Sequence, residues 1–160
     1  MIEPVIRLAT PAEMAPVMEL AVQACEENGF LDASAELLAQ IIWPAINQNN
    51  GMIGVIGKPG ERLEAFVVLT VGTMYYSPQK CVEEKVVFVR PEFRAAKGGR
   101  ARLLCEFSKK VADTLELPLL IGVCSNERTK AKVKMYERIF GPPAGAYWLY
   151  GTATGGHKVS

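Results

Sequence analysis

Three basic side chains, Arg94, Lys97 and Arg100, flank the glycine pair Gly98-Gly99 in the run VVFVRPEFRAAKGGRARLL at residues 86–104. Glycine lets an oxyanion approach backbone N–H groups without meeting a Cβ, and the basic groups add positive charge around it. The apolar run ends at Pro91, and an amphipathic pattern begins directly after the glycines. That order is a strand, a turn and a helix start. A helix start carries unpaired amides and the positive end of the macrodipole, and both favour anions. The amides of Lys97, Gly98, Gly99, Arg100 and Ala101 can therefore donate to a diphosphate. The junction predicts a phosphorylated cofactor.

The remaining reactive side chains are few. Cys25, Cys81, Cys105 and Cys124 form no CxxC pair, so they read as reduced and mostly buried thiols of a cytoplasmic protein. Cys124 follows an apolar run and has no histidine near it in sequence, so it reads as buried rather than nucleophilic. The one histidine, His157, lies in a polar tail at residues 154–160, which argues against a histidine metal centre or a Ser-His-Asp triad. No metal is expected. Lys plus Arg number 18 against 17 Asp plus Glu, a net charge of +1, without the basic excess of a nucleic-acid-binding protein. Nothing reads as a signal peptide, and no window approaches the ~18–20 apolar residues of a membrane span.

The elements that must position the glycine loop can be read from periodicity. At 160 residues and 49% hydrophobic, the chain can bury one core, here assigned to a single domain at residues 1–153. A short strand is expected at residues 4–8. Thr10, Pro11 and Glu13 then form a capping box ahead of a helix that Asn28-Gly29 stops. A second helix is expected over about residues 33–47, kinked or shortened by Pro44. Strands follow at residues 52–56, 63–76 and 82–89. The unbroken apolar run Val86, Val87, Phe88 and Val89 indicates burial on both faces. After the loop come a helix bearing Leu103, Leu104, Phe107, Val111 and Leu115, a buried strand at 117–123, a helix over about 128–140, and a closing strand at 146–150. The order β-α-α-β-β-β-α-β-α-β is that of an α/β domain with a mixed central sheet between helical layers.

This order, with a phosphate loop between the fourth strand and third helix, resembles the GCN5-related N-acetyltransferases (the GNAT superfamily) over nearly the whole chain. The segment Val89-x-Pro91-x-Phe93-Arg94 is similar to that family's V-x-P-x-(Y/F)-R lead into the acetyl-CoA pyrophosphate loop. The segment from Lys132 through Tyr136 to Gly141 is similar to its A-x-x-x-Y-x-x-x-G-F helix. Two departures stand out. Ala95, Ala96 and Lys97 separate Arg94 from Gly98, where the family loop commonly reads (Q/R)-x-x-G-x-(G/A). Lys132 also holds a position usually occupied by a small residue.

The resemblance implies an acetyl-CoA-dependent transfer of an acetyl group to an amine acceptor. The pantetheine arm would meet backbone groups at Phe88, Val89 and Arg90, and Thr129 stands where the family often has an asparagine. Tyr136 matches the tyrosine that protonates the departing CoA thiolate in many members. The attacking amine must lose a proton, and the candidate bases on the fourth strand are Glu83 and Glu84. Period-two alternation puts Glu83 on the face of Val87 and Val89, which ranks it first. Glu26 and Glu27, near the turn after the first helix, could attract a cationic acceptor. Arg128, Lys130, Lys132, Lys134 and Arg138 spread around one helix, as a solvated face or one that meets the CoA 3′-phosphate or an acidic partner. A homodimer is compatible with the family. The alternative is a non-catalytic acyl-CoA-binding or interaction module on the same fold, and a nucleic-acid-associated role for the basic helix ranks below it.

Overall fold

Thr10 opens the first helical turn through the expected capping box, its N–H donating to Glu13 Oε1 at 3.0 Å. Arg7 clamps the same carboxylate with two bonds of 2.8 and 2.7 Å, and this holds Glu13 down at about 2. The first strand and first helix are thus tied together at their junction. The computed structural model describes residues 3–94, 99–125 and 128–151.

Five strands form one sheet in the order β1 (Ile6–Leu8), β2 (Gly51–Ile56), β3 (Ala65–Thr73), β4 (Lys80–Val89) and β5 (Leu119–Ile121). The first four run antiparallel to their neighbours, and β5 lies parallel to β4. Helices α1 (Met14–Asn28) and α2 (Ala35–Ile46) cover one face, where Leu20, Ile42 and Ile46 pack on Ile53, Phe66, Val68 and Phe88. Helix α3 (Arg100–Leu115) covers the other, where Leu104 and Val111 pack on Val67, Leu69, Val82 and Val89. Helix α4 (Thr129–Phe140) follows β5. Helix α1 ends where Asn28-Gly29 predicts, with Gly29 at φ +67°, and α2 stops two residues past Pro44. The α/β fold read from the periodicity is the one found.

Three expectations are corrected. No strand forms at residues 146–150, and Tyr147, Trp148 and Tyr150 are exposed there. β-Prone side chains make a strand only against a ladder, and the neighbouring edge, β5, is three residues long. Strand β5 is also shorter and less buried than its apolar run suggests, because it is the sheet's edge and Leu120 keeps 37% of its surface. Lastly, of the four free cysteines only Cys105 is buried, and Cys124 is exposed just beyond the end of β5.

The apolar run at the end of β4 packs against core on both faces, as its pattern indicates, and a bulge precedes it. Val68 pairs with Val86, but the next residue, Leu69, pairs with Glu84, so Lys85 is an extra residue in β4. A bulge of this kind reverses side-chain parity beyond it. Val82 therefore shares the α3 face with Val87 and Val89, while Val86 and Phe88 face α1 and α2. Glu84, not Glu83, lies on the face of Val87 and Val89. The alternation that ranked Glu83 first fails at this bulge.

Candidate active site

Strand β4 accompanies β5 only as far as the pair Glu84 and Ile121, then runs on to Val89 paired with β3 alone. Beyond that pair the two strands leave a gap, and the candidate groups stand around it. Arg90 N–H donates across to Glu64 C=O at 2.9 Å. In an antiparallel ladder the facing direction alternates, so Phe88 also turns its backbone to β3 and Val89 turns its own toward the gap. Of the three backbone positions considered, Val89 is the one presented there, and its carbonyl accepts from Arg94 Nε at 2.8 Å.

The basic residues at the end of β4 have separate tasks. Arg90 is 1% exposed; its guanidinium donates to Leu63 C=O (2.6 Å), Gln23 Oε1 (3.0 Å) and Glu19 Oε1 (3.1 Å). This side chain joins α1 to the sheet from within. Arg94 lies over the Phe88 ring at 5.2 Å and pairs with Glu27 at 2.6 Å, so Glu27 at the end of α1 is already neutralised. Arg100, the first residue of α3, sits over Phe93 at 4.5 Å and pairs with Glu64 at 2.8 Å. Its Nε and Nη1 are buried and have no hydrogen-bond partner among the described residues. Buried charged donors left in this way favour an anion strongly. Gly99 caps α3 at φ +56°, a left-handed conformation that suits glycine, and Ala101 packs on the α3-side core. Lys97 and Gly98 lie outside the described residues, as does His157.

On the α3 face of the sheet, Tyr136 of α4 donates its hydroxyl to Glu84 Oε1 at 2.9 Å, and both groups are buried. Glu84 Oε2 has no hydrogen-bond partner among the described residues. Burial raises the Glu84 carboxyl above the ordinary carboxylate range, against the opposing pull of Tyr136 and Lys132. Burial and then the Glu84 charge raise the Tyr136 phenol, and burial pushes the nearby Cys105 thiol up to about 12. Glu83 points to the opposite face, half-exposed, where Lys85 pairs with it at 2.9 Å. The bulge thus separates two adjacent glutamates into one solvated and one buried beside a phenol.

Sequence reasoning named Lys132, one turn before Tyr136, but not its pairing with Ser125. Lys132 Nζ donates to Ser125 Oγ at 2.8 Å, and Ser125 N–H donates to Thr129 Oγ1 at 3.0 Å. Thr129 therefore braces the segment between β5 and α4 with its own side chain. Arg128 also turns inward, with Glu27 at 3.9 Å, while Lys130, Lys134 and Arg138 are exposed. The i, i+4 spacing of Lys132 and Tyr136 was the available signal, since it puts both on one helix face.

No family model matches the sequence, and no curated protein matches it. Solved structures do. A ribosomal-protein-alanine N-acetyltransferase from Brucella melitensis biovar Abortus is 15% identical, with TM-score 0.64, over 92% of this chain and 96% of that one. An acetyltransferase from Trypanosoma brucei is 16% identical, with TM-score 0.64, over 92% and 97%. AAC(6′)-Iy, solved with the bisubstrate analogue CoA-S-monomethyl-acetylneamine, is 14% identical, with TM-score 0.68, over 93% and 97%.

The fold is that of the GCN5-related N-acetyltransferases.

In this GNAT fold Glu84, the last β4 residue paired with β5, is the one that meets Tyr136 of α4. Among the described residues no group of three or more His, Cys, Asp or Glu could hold a metal ion. None of their helices is long and apolar enough to cross a membrane.

Proposed function

We propose that the chain is an acetyl-CoA-dependent N-acetyltransferase. The observation that carries this is a pair of features: buried guanidinium nitrogens of Arg100 at the start of α3 that have no partner among the described residues, and the buried Glu84–Tyr136 pair between β4 and α4. The first suits a diphosphate, together with the amides at Gly99, Arg100 and Ala101. Lys97 and Gly98 extend that site in the proposal. Val89 offers the pantetheine arm a backbone partner, and Arg94 holds the strand end in place through the Val89 carbonyl.

The chemistry is attack of a neutral amine on a thioester, followed by departure of a thiolate. Tyr136 supplies the proton to the sulfur. For that the hydroxyl must turn from Glu84 toward the gap, which requires that Glu84 be protonated and donate to the phenol oxygen in turn. Burial of Glu84 favours this protonated form. The pair then relays one proton, Glu84 to Tyr136 to sulfur; the attacking nitrogen gives up its own proton to solvent, and solvent returns one to Glu84. Glu83, on the other face, is dispensable for this step. The backbone of Val89 and the ends of α3 and α4 hold the reactants in place, which supplies much of the rate.

The acceptor is an amine, and a neutralised Glu27 leaves Glu26 as the free carboxylate near the end of α1 to attract a cationic one. An exposed free thiol at Cys124 fits a reducing compartment such as the cytoplasm. A second reading, an acyl-CoA-binding module without turnover, draws on Lys132 in place of a small residue and on the phenol held by Glu84. A panel of small amines, peptides and aminoglycosides assayed for acetyl-CoA-dependent thiol release separates the two. Release with one class establishes transfer. Binding of acetyl-CoA without release from any member supports the module.

A further inference from the structure

Resting on the acetyl-CoA reading, a second acceptor is present in the protein itself. Lys132 shares a helix face with Tyr136, the residue proposed to meet the thioester sulfur. Its Nζ is held at 2.8 Å on Ser125 Oγ, and Ser125 is buried and fixed by Thr129. The amine is thus positioned by Ser125, four residues beyond the end of β5. Lys130 and Lys134, on the same helix, are exposed to solvent instead. Burial lowers the Lys132 ammonium, opposed by Glu27 and Glu84 and assisted by Arg128 and Arg94, so the neutral amine is more available than on the surface.

We propose that Lys132 is a self-acetylation site, its Nζ taking the acetyl group of acetyl-CoA bound between β4 and β5. The nitrogen lone pair attacks the thioester carbon and a C–N bond forms. The C–S bond breaks, and its electron pair leaves on sulfur. The proton released by nitrogen goes to that thiolate, so the products are N-acetyl-lysine and free CoA, with no further reactant. Acetylation removes the positive charge that faces Glu84 and Glu27 and adds bulk beside Tyr136. The modified chain therefore holds acetyl-CoA less well, and the reaction limits itself to one turnover.

The test uses the full chain with acetyl-CoA alone, peptide mass mapping over time, and a parallel thermal shift with CoA. Lys132 is expected to acetylate at least about tenfold faster than Lys130 and Lys134, because it reacts within a bound complex. Excess CoA should slow Lys132 and leave the exposed lysines unchanged, and heat-unfolded chain should lose the difference. Equal rates at the three lysines overturn the proposal. If CoA raises the melting temperature but the rates are equal, self-acetylation fails and the cofactor reading stands. If CoA has no effect and the rates are equal, both fail. Lys132→Arg, which keeps the charge, should abolish the modification while retaining the CoA-induced shift.

Discussion

Replacing Tyr136 by phenylalanine removes one oxygen from a buried pair, and its cost should depend on pH in a direction set by Glu84. The Tyr136 hydroxyl donates to Glu84 Oε1, and Oε2 has no partner among the described residues. Burial raises the folded-state pKa of Glu84 above its ordinary value of 4.5, and the phenol partly offsets this. An acid with a raised folded pKa binds more protons when folded, so its contribution to stability is greatest below the unfolded pKa and declines as pH rises through the folded one. Without the phenol, Glu84 rises further and the decline deepens. At pH near 4 the variant loses a bond between neutral groups, about 1 kcal/mol, whereas at a pH above the raised Glu84 pKa it loses a bond to a charged group, about 1.5–3 kcal/mol. In a chain of this length the difference amounts to roughly 2–6 °C in melting temperature. Urea unfolding of wild type and Tyr136→Phe at both pH values measures it, and common titrations cancel in the comparison. In a Glu84→Gln background the cost of Tyr136→Phe should no longer vary with pH. A cost equal at both pH values in the wild-type background would refute the reasoning.

Other expectations follow from the same geometry. Arg90→Ala leaves the buried Leu63 carbonyl without its donor and opens a cavity between α1 and the sheet, so stability should fall by about 2–4 kcal/mol in urea unfolding; a loss below ~1 kcal/mol would contradict the role given to this guanidinium. Gly99→Ala forces a Cβ into a left-handed conformation at φ +56° and should cost about 1–2 kcal/mol, with weaker CoA binding from a displaced helix start. Once an acceptor is known, Glu84→Gln should lower turnover at least about tenfold, the lower range for loss of acid–base assistance being larger still. Glu83→Gln should stay within about twofold, because its ion pair with Lys85 is solvated. The opposite ranking would restore the glutamate that simple alternation favours. The wild-type rate of the relay step should decline as pH rises through the raised Glu84 pKa, seen as the falling limb of kcat against pH.

Much of the fold was legible because its signals are local. The capping box at Thr10, the glycine at the end of α1 and the apolar periods of α3 and β3 each report on neighbours in sequence. The bulge at Lys85 was not legible. It arises from how β4 meets β3, and nothing in KCVEEKVVFV distinguishes the residue that drops out of the ladder. That single slip decided which glutamate meets Tyr136. The missing strand at residues 146–150 failed for a related reason, since pairing depends on an edge that the sequence of the segment does not contain. The junction was read from glycines and charges, yet the burial of Arg100 against Phe93 and its pairing with Glu64 became visible only in the fold. Arg90 was chosen for its backbone, whereas its side chain turned out to hold α1 to the sheet.

The central claim is that the gap between β4 and β5 holds acetyl-CoA with its diphosphate at the start of α3. Calorimetric titration of acetyl-CoA into the full chain and into Arg100→Gln tests it most directly. The account predicts one saturable site in the wild type, and in the variant a loss of about 1.5–3 kcal/mol, roughly tenfold to a hundredfold in Kd. Heat absent up to millimolar acetyl-CoA, or equal affinity for both proteins, would contradict it.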